Sequence, residues 1–268
     1  MVLSMKIGFI GLGNMADAMI GGIIGKGLYG KSDIIGSSKT EATAAKVSEK
    51  YGIETCTDNV KIAQKSDVVI LAVKPVFFPE VIAQIKDKIK SDTLVISIAA
   101  GKSIEWIENE FGTSIKLVRC MPNVPALVGE SCTGVCLNSN ITAEDEKIAM
   151  EIMNSFGKAS VIPERIMDAV IAVSGSSPAY VFVFIEAMAD AAVQAGMPRK
   201  QAYEFAAQSV LGSAKMVLET GKHPAELKDM VCSPGGTTIE AVKVLEEKGF
   251  RAAVIDAMEA CAEKSRNM

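Results

Sequence analysis

Lys6-Ile7-Gly8-Phe9-Ile10-Gly11-Leu12-Gly13-Asn14-Met15-Ala16 decides how the chain is read. A short apolar run, Lys6 to Ile10, stops at Gly11. A helical pattern then continues to Lys26 and is closed by Gly27. Strand, tight glycine turn and helix carry the G-x-G-x-x-G/A spacing of a dinucleotide-binding turn, with Ala16 in the permitted third place. Gly11 makes the turn, Gly13 lets a pyrophosphate approach the backbone, and Ala16 keeps the helix against the sheet.

Outward from this motif, a second strand is expected at Asp33 to Gly36, followed by Ser37-Ser38-Lys39-Thr40. An enzyme that uses NAD usually places an acid here for the ribose 2′-hydroxyl. Ser37, Ser38 and Lys39 instead offer hydroxyls and a cation, which suit the 2′-phosphate of NADPH; NADH is the weaker alternative. The same hydroxyls could also cap a helix from Thr40 to Tyr51. The alternation then continues with a strand at Thr55 to Thr57, Asp58 and Asn59 as caps, and a fully apolar strand at Val68 to Val73 that runs into Lys74-Pro75. Leu94 to Ile98 leads into Ala99-Ala100-Gly101, and Lys116 to Met121 into Pro122-Asn123. The strand ends at Gly11, Ala72, Ile98 and Cys120 should meet at one crevice, since open parallel sheets bind ligands at their carboxyl edge. Gly134 to Leu137 and Ala159 to Ile162 read as edge strands around a helix from Ala143 to Phe156, and Pro163 breaks the pattern.

From Glu164 onward no strand is expected. Glu186, Asp190 and Gln194 recur every four residues in an otherwise apolar stretch from Ala179 to Ala195, which predicts a helix with one narrow polar stripe, buried on most sides. Gly196 ends it, and Pro198 opens another helix that Gly221 stops. A last helix surrounds Arg251 to Lys264. This much apolar helix exceeds what one small domain can bury, so part of it should be a subunit interface. His223 precedes Pro224 at a helix start and reads as structural. Two domains are expected, 1–163 and 164–268.

Two polar corners interrupt these helices. Cys232-Ser233-Pro234-Gly235-Gly236-Thr237-Thr238 joins a helical pattern from Pro224 to Val231 to another from Ile239 to Lys248. Pro234 bars helix, the glycines free the backbone, and Thr237 or Thr238 is expected to cap the second helix. Such a loop is either an anion site at a helix N-terminus or a plain helix–turn–helix corner. Ser174-Gly175-Ser176-Ser177-Pro178-Ala179-Tyr180 is a second candidate corner for an anion or a ring, or a point of close helix packing at glycine.

Composition excludes several classes. The chain has 268 residues, 49% hydrophobic and 22% charged, with net charge -4, which argues against nucleic-acid partners. Its six cysteines form no C-x-x-C pair, and with a single histidine no metal site is expected. No leader is evident and the apolar run Pro178 to Ile185 is too short to span a bilayer, so a cytoplasmic protein with reduced thiols and no membrane partner is expected.

Taken together, the N-terminal motif, Ala72-Val73-Lys74-Pro75, Cys120-Met121-Pro122-Asn123, the Ser174 to Tyr180 corner, Leu227-Lys228-Asp229 and Ser233 to Thr238 resemble the pyrroline-5-carboxylate reductases along essentially the whole length. The resemblance implies an α/β fold: an N-terminal Rossmann-type doubly wound sheet with a C-terminal all-helical dimerisation domain. It implies a homodimer with interlocked C-terminal helices, a decamer as one possible higher assembly, and a Ser233 to Thr238 loop that closes over the nicotinamide held by the other chain. Cofactor contacts carry over to Leu12, Asn14, Met15, Ser38, Asn59, Ala72, Val73, Lys74, Pro75, Ile98, Ala99 and Ala100. Substrate contacts carry over to Glu164, Thr237 and Thr238. In the implied reaction a hydride reduces the C=N bond of a cyclic imine carboxylate. Ser233, Gly236 and Thr237 would then hold the carboxylate, and Thr238 the ring nitrogen as the catalytic hydroxyl. Ser177 departs from the usual glycine, and Met230 from an asparagine found in some members.

The N-terminal segment is also similar to the β-hydroxyacid dehydrogenases, which use a lysine on the first long helix of the second domain. The matching stretch here, Pro178 to Gly196, has none. A non-catalytic NADP-binding sensor would have no need of the Ser233 to Thr238 loop.

Overall fold

The structure, a computed structural model, describes residues 5–267. It divides into two compact units, Met1–Ser176 with Ala262–Met268, and Ser177–Cys261.

The first unit alternates strands and helices: β1 (Ile7–Ile10), α1 (Asn14–Gly25), β2 (Ile34–Ser37), α2 (Glu41–Tyr51), β3 (Glu54–Cys56), α3 (Asn59–Lys65), β4 (Val68–Leu71), α4 (Phe78–Ile85), β5 (Leu94–Ser97) and α5 (Ile104–Phe111). β6 (Lys116–Met121), β7 (Ser131–Leu137), α6 (Ala143–Asn154), β8 (Gly157–Val161) and α7 (Met167–Val170) complete it. One eight-stranded sheet runs in the order β3-β2-β1-β4-β5-β6-β7-β8. β1 to β6 pair in parallel, so the order reverses between β1 and β4 and opens a crevice at their carboxyl ends.

Strand periodicity builds two cores. Ile7 and Phe9 of β1, Val68 and Ile70 of β4, and Leu94 and Ile96 of β5 point to one face, where Met19, Ile20 and Ile23 of α1 and Ile152 and Met153 of α6 cover them. Ile10, Val69, Leu71 and Val95 point to the other, under Ile62 of α3, Phe78, Ile82 and Ile85 of α4 and Phe111 of α5. Both faces are covered, which is why these strands read as continuous apolar runs. Gly8 is required by close packing: a Cβ there would lie 2.0 Å from Ser66 Oγ. Cys120 is buried in the first core, and burial, with the neighbouring Cys136, pushes its thiol far above the ordinary value.

One expectation is corrected. The strand anticipated at Gly134 to Leu137 is not at an edge: β7 lies between β6, to which it is antiparallel, and β8, to which it is parallel. A 3₁₀ turn over Val124–Val128 reverses the chain after β6.

After α7 the chain winds as a π-turn over Ile171–Gly175, with the Ser176 N–H donating to the Ile171 carbonyl at 2.8 Å. Gly175 is here a point of close packing, since a Cβ would approach Met121 Cε to 3.2 Å.

The second unit is helical: α8 (Ser177–Gln194), α9 (Arg199–Thr220), α10 (Pro224–Val231), α11 (Thr237–Glu247) and α12 (Phe250–Arg266), whose last turn counts with the first unit. In that turn Ser265 Oγ donates to Asp168 Oδ1 at 2.6 Å. Gly196 takes φ +95° between α8 and α9, which pack on each other around Ala189, Ala202 and Ala206. His223 caps α10 by accepting the Ala225 N–H at Nδ1, the structural role expected of it. The expectation that the Ala179 to Ala195 helix is buried on most sides fails within the single chain. Ala189 is its only buried residue among those described, while Phe182 and Val183 are 59% and 65% exposed. Facing small alanines let α8 and α9 approach closely but leave their outer apolar faces uncovered.

Candidate functional site

The motif at the end of β1 forms as a cradle. Gly11 holds φ +99°, and a Cβ there would lie 2.7 Å from the Ala72 carbonyl, so the residue must be glycine. A Cβ on Gly13 would meet no protein atom within 4 Å, so only a ligand lying on the backbone needs that space. Gly13 is also the N-cap of α1 and supplies no side-chain cap. The first-turn amides of Asn14, Met15 and Ala16 thus remain as donors at the positive end of a twelve-residue helix. An anionic pyrophosphate fits these features.

A cleft of about 420 Å³ opens beside the cradle. It gathers Gly11, Gly13, Ser37, Ser38, Lys39, Asn59, Ala72, Val73 and Lys74, residues from the ends of β1, β2 and β4 and from α3. Lys39 Nζ sits 5.1 Å from the centre of the Phe77 ring at this cleft. Thr40, and neither Ser37 nor Ser38, is the N-cap of α2, accepting the Thr43 N–H at 3.3 Å. Ser37 is fully buried, and its hydroxyl donates to Asn59 Oδ1 at 2.7 Å, so it supports the cleft wall. Ser38 and Lys39 are the more open pair. Asp58 caps α3 through Val60 and Lys61, so Asn59 is helical and its side chain is available to the cleft.

Other expected residues do not line the cleft: Leu12, Asn14, Met15 and Pro75 adjoin lining residues in sequence, and Ile98, Ala99 and Ala100 follow β5, the strand paired with β4. Leu12 is buried under Gly36, where an added Cβ would lie 2.7 Å from its Cδ2, so it can offer a ligand only its backbone. Sequence reasoning missed Thr57, Phe77, Glu80, Val81 and Gln84, which complete the lining. The four-residue spacing of Phe77, Val81 and, on the same helix, Glu80 and Gln84 was the available signal.

Glu164 is held within the first unit. Its Oε1 accepts from Arg119 Nη1 at 2.6 Å and from the Ile104 N–H at the start of α5 at 2.9 Å. Arg119 is nearly buried on β6, opposite Cys136 in register. Burial and then the Glu164 charge push the Cys136 thiol up to about 11, against the pull of Arg119. Asn123 is anchored from both ends of its amide: its Oδ1 accepts from Ser131 Oγ and the Cys132 N–H, and its Nδ2 donates to the Ser174 carbonyl at 2.8 Å.

In the second unit, Ser233 and Gly236 lie in a tight loop that leads into α11, whose first two residues are Thr237 and Thr238. Gly235 takes φ +67°, the Gly236 N–H donates to the Ser233 carbonyl at 3.0 Å, and a Cβ on Gly236 would strike Ser233 Oγ at 2.4 Å. The expected threonine cap is corrected. Gly236 is the N-cap and no side chain caps the helix, because the turn closed by Gly235 starts α11 already at Thr237. The hydroxyls of Thr237 and Thr238 are therefore not spent on capping, and the first-turn amides stay open. Among the described residues no group of three or more metal-ligating side chains is found.

Comparison with known proteins agrees with this geometry. Residues 164–268 match the family model for pyrroline-5-carboxylate reductase dimerisation, and residues 6–101 match that for NADP oxidoreductase, coenzyme F420-dependent. The chain is 52% identical to pyrroline-5-carboxylate reductase of Escherichia coli strain K12 over 98% of both chains. It is 47% identical to that of Methanosarcina acetivorans, covering 98% of this chain and 97% of the other. Among solved structures, a pyrroline-5-carboxylate reductase from Coxiella burnetii superposes with a TM-score of 0.93 at 36% identity, over 98% of each chain. The Plasmodium falciparum pyrroline carboxylate reductase with NADP bound superposes at 0.88 and 35% identity, over 98% of this chain and 97% of that one. A nucleotide cradle on a doubly wound sheet, an uncapped hydroxyl loop and full-length identity of this order have one reading: the chain belongs to the pyrroline-5-carboxylate reductase family.

Proposed function

We propose that the chain reduces 1-pyrroline-5-carboxylate to L-proline with NADPH, the last step of proline synthesis. The observation that carries this is the pairing, in one chain, of the Gly11–Gly13 cradle with the uncapped Ser233 to Thr238 loop. NADPH, when bound, supplies the hydride that adds to the C=N carbon. The Gly13 backbone and the first-turn amides of α1 hold the pyrophosphate; Ser38 and Lys39 neutralise the 2′-phosphate. Ala72 to Pro75 and Ile98 to Ala100 flank the nicotinamide half. The open amides before and within the first turn of α11, with the Ser233 and Thr237 hydroxyls, hold the substrate carboxylate, and Thr238 Oγ1 hydrogen-bonds the ring nitrogen. An imine that arrives protonated needs no strong general acid, so positioning carries the rate. Glu164, fixed by Arg119, borders the substrate.

The reading extends to assembly. Domains divide at 163/164 in function, the helical part pairing two chains through interlocked helices, with the loop of one chain closing over the nicotinamide of the other; a decamer of such pairs is the higher assembly. The stretch Glu164–Gln194 contains an 18-residue window of mean hydropathy 1.5, long and apolar enough to cross a membrane by length and composition alone. We read its open faces as subunit interface, since the dimerisation model covers the same residues. The enzyme then works in the cytoplasm.

The test is NADPH consumption with pyrroline-5-carboxylate, run beside NADP reduction with 3-hydroxyisobutyrate. Turnover in the first assay and none in the second is expected; the reverse would overturn the reading in favour of a β-hydroxyacid dehydrogenase.

A further inference from the structure

A directional chain of side chains runs along the cleft wall. Ser37 Oγ donates to Asn59 Oδ1 at 2.7 Å, Asn59 Nδ2 donates to Gln84 Oε1 at 2.8 Å, and Gln84 Nε2 donates to Glu80 Oε1 at 3.5 Å. All four residues line the cleft. Ser37 closes β2, Asn59 opens α3, and Glu80 and Gln84 stand one turn apart on α4, so the chain ties three elements together.

Its direction is set by the carboxylate at one end. Ionised Glu80 can only accept, so Gln84 must turn its amino group to it and its oxygen to Asn59. Asn59 must in turn direct its amino group to Gln84 and its oxygen to Ser37, which supplies the hydrogen. The opposite orientation would set the Gln84 oxygen against the Glu80 oxygen. Asn59 thus has its oxygen occupied and one of two amino hydrogens used. One N–H donor remains, beside Ser38 and Lys39, where the adenosine ribose lies in a sheet of this topology.

We propose that Glu80 and Gln84 are positioning residues for the dinucleotide. Acting through Asn59, they present an amide N–H, and not an amide oxygen, to an acceptor in the adenosine half common to NADPH and NADH. The inference rests on the reading of the cleft as the dinucleotide site. A ribose or ring acceptor there gains a donor, whereas a flipped Asn59 would oppose it with a lone pair.

The experiment is calorimetric titration of NADPH and NADH into the parent, Gln84→Ala, Asn59→Ala and the double variant, with melting temperatures taken in parallel. Gln84 is exposed, so the fold should survive its replacement. Gln84→Ala should raise the Kd of both dinucleotides by a similar factor, roughly two- to tenfold, the worth of one hydrogen bond. In the Asn59→Ala background the same change should add nothing, because its effect passes through Asn59. Glu80→Gln keeps the shape but removes the acceptor-only end, so NADH binding should weaken. A role by charge alone would instead leave NADH unchanged and tighten NADPH. Additive losses in the double variant would overturn the proposal by showing direct contact. So would a Gln84→Ala change within about 1.5-fold. A parent that binds neither dinucleotide would overturn the cleft reading and this inference together; a parent that binds normally beside indifferent variants sinks the inference alone.

Discussion

Arg119 Nη1 donates to Glu164 Oε1 at 2.6 Å, joining the middle of β6 to the turn that follows β8. The Arg119 side chain is 9% exposed and that of Glu164 32%. Arg119→Met would strand a carboxylate that keeps only the Ile104 N–H and partial solvation. A loss of about 2–3 kcal/mol is expected, below the range for a fully buried pair. Adding Glu164→Leu should recover part of it. Urea unfolding of the two variants checks this; equal stability of Arg119→Met and the parent would show the pair to be idle.

Thr238→Ala should cripple reduction while sparing the fold. Loss of a hydrogen bond to the reacting ring should cost roughly 1.5–3 kcal/mol, about ten- to a hundredfold in kcat/KM. Since Gly236 is the N-cap of α11, the substitution removes no cap and the melting temperature should hardly move. Steady-state kinetics with parallel thermal unfolding separates the effects; a kcat/KM within about twofold of the parent would remove Thr238 from the chemistry.

Ser38→Asp should lose NADPH far more than NADH, because a carboxylate beside Lys39 would face the 2′-phosphate. The ratio of KM values for the two cofactors reads it directly. A parent that uses both equally would count against Ser38 and Lys39 as the discriminating pair.

Acid should loosen α6. Burial would push the Asp145 carboxyl up, but hydrogen bonds from the Thr142 N–H and hydroxyl, and from Lys116, outweigh it and hold the group below its ordinary value. A depressed folded value stabilises fully above the ordinary carboxylate range, near pH 4, and the contribution fades as pH falls through the folded value. Asp145→Asn should cost about 1 kcal/mol at pH 7 and progressively less toward pH 3. Urea midpoints at several pH values test this, and a gap that stays constant with pH would refute the linkage.

Sedimentation at low micromolar concentration should show no monomer. Phe182 is 59% exposed in the single chain, and Phe182→Glu should split the assembly and abolish activity. A folded, active monomer of the parent would end the shared-site model.

The parallel strands were legible because residues such as Val68 to Leu71, buried on both faces, leave an unbroken apolar run. β7 was misplaced because an apolar strand pattern carries no direction or sheet position; those are set by the turn at Val124–Val128. The cradle could be read from glycine spacing, since Gly11 needs its positive φ. For the far wall of the cleft, four-residue spacing marked a shared helix face but not its partner, because Gln84, held by Glu80, reaches Asn59 only once α4 is docked on the sheet. The Arg119–Glu164 pair gave no local signal, its members being 45 residues apart. The α11 cap was misjudged by one or two positions, as Ser/Thr preference outweighed the permitted glycine at that site.

The Cys120 thiol, sealed between the sheet and its helices with its proton firmly held, turns the core into its own clock. An alkylating reagent needs the thiolate and a path to it, and the folded chain offers neither. Exposed Cys132 would react at once, whereas modification of Cys120 would wait for each opening of the sheet. Mass-resolved alkylation of the unaltered protein would therefore time the life of the nucleotide domain, and the slowing of that clock by a bound ligand would weigh its grip without any assay of turnover.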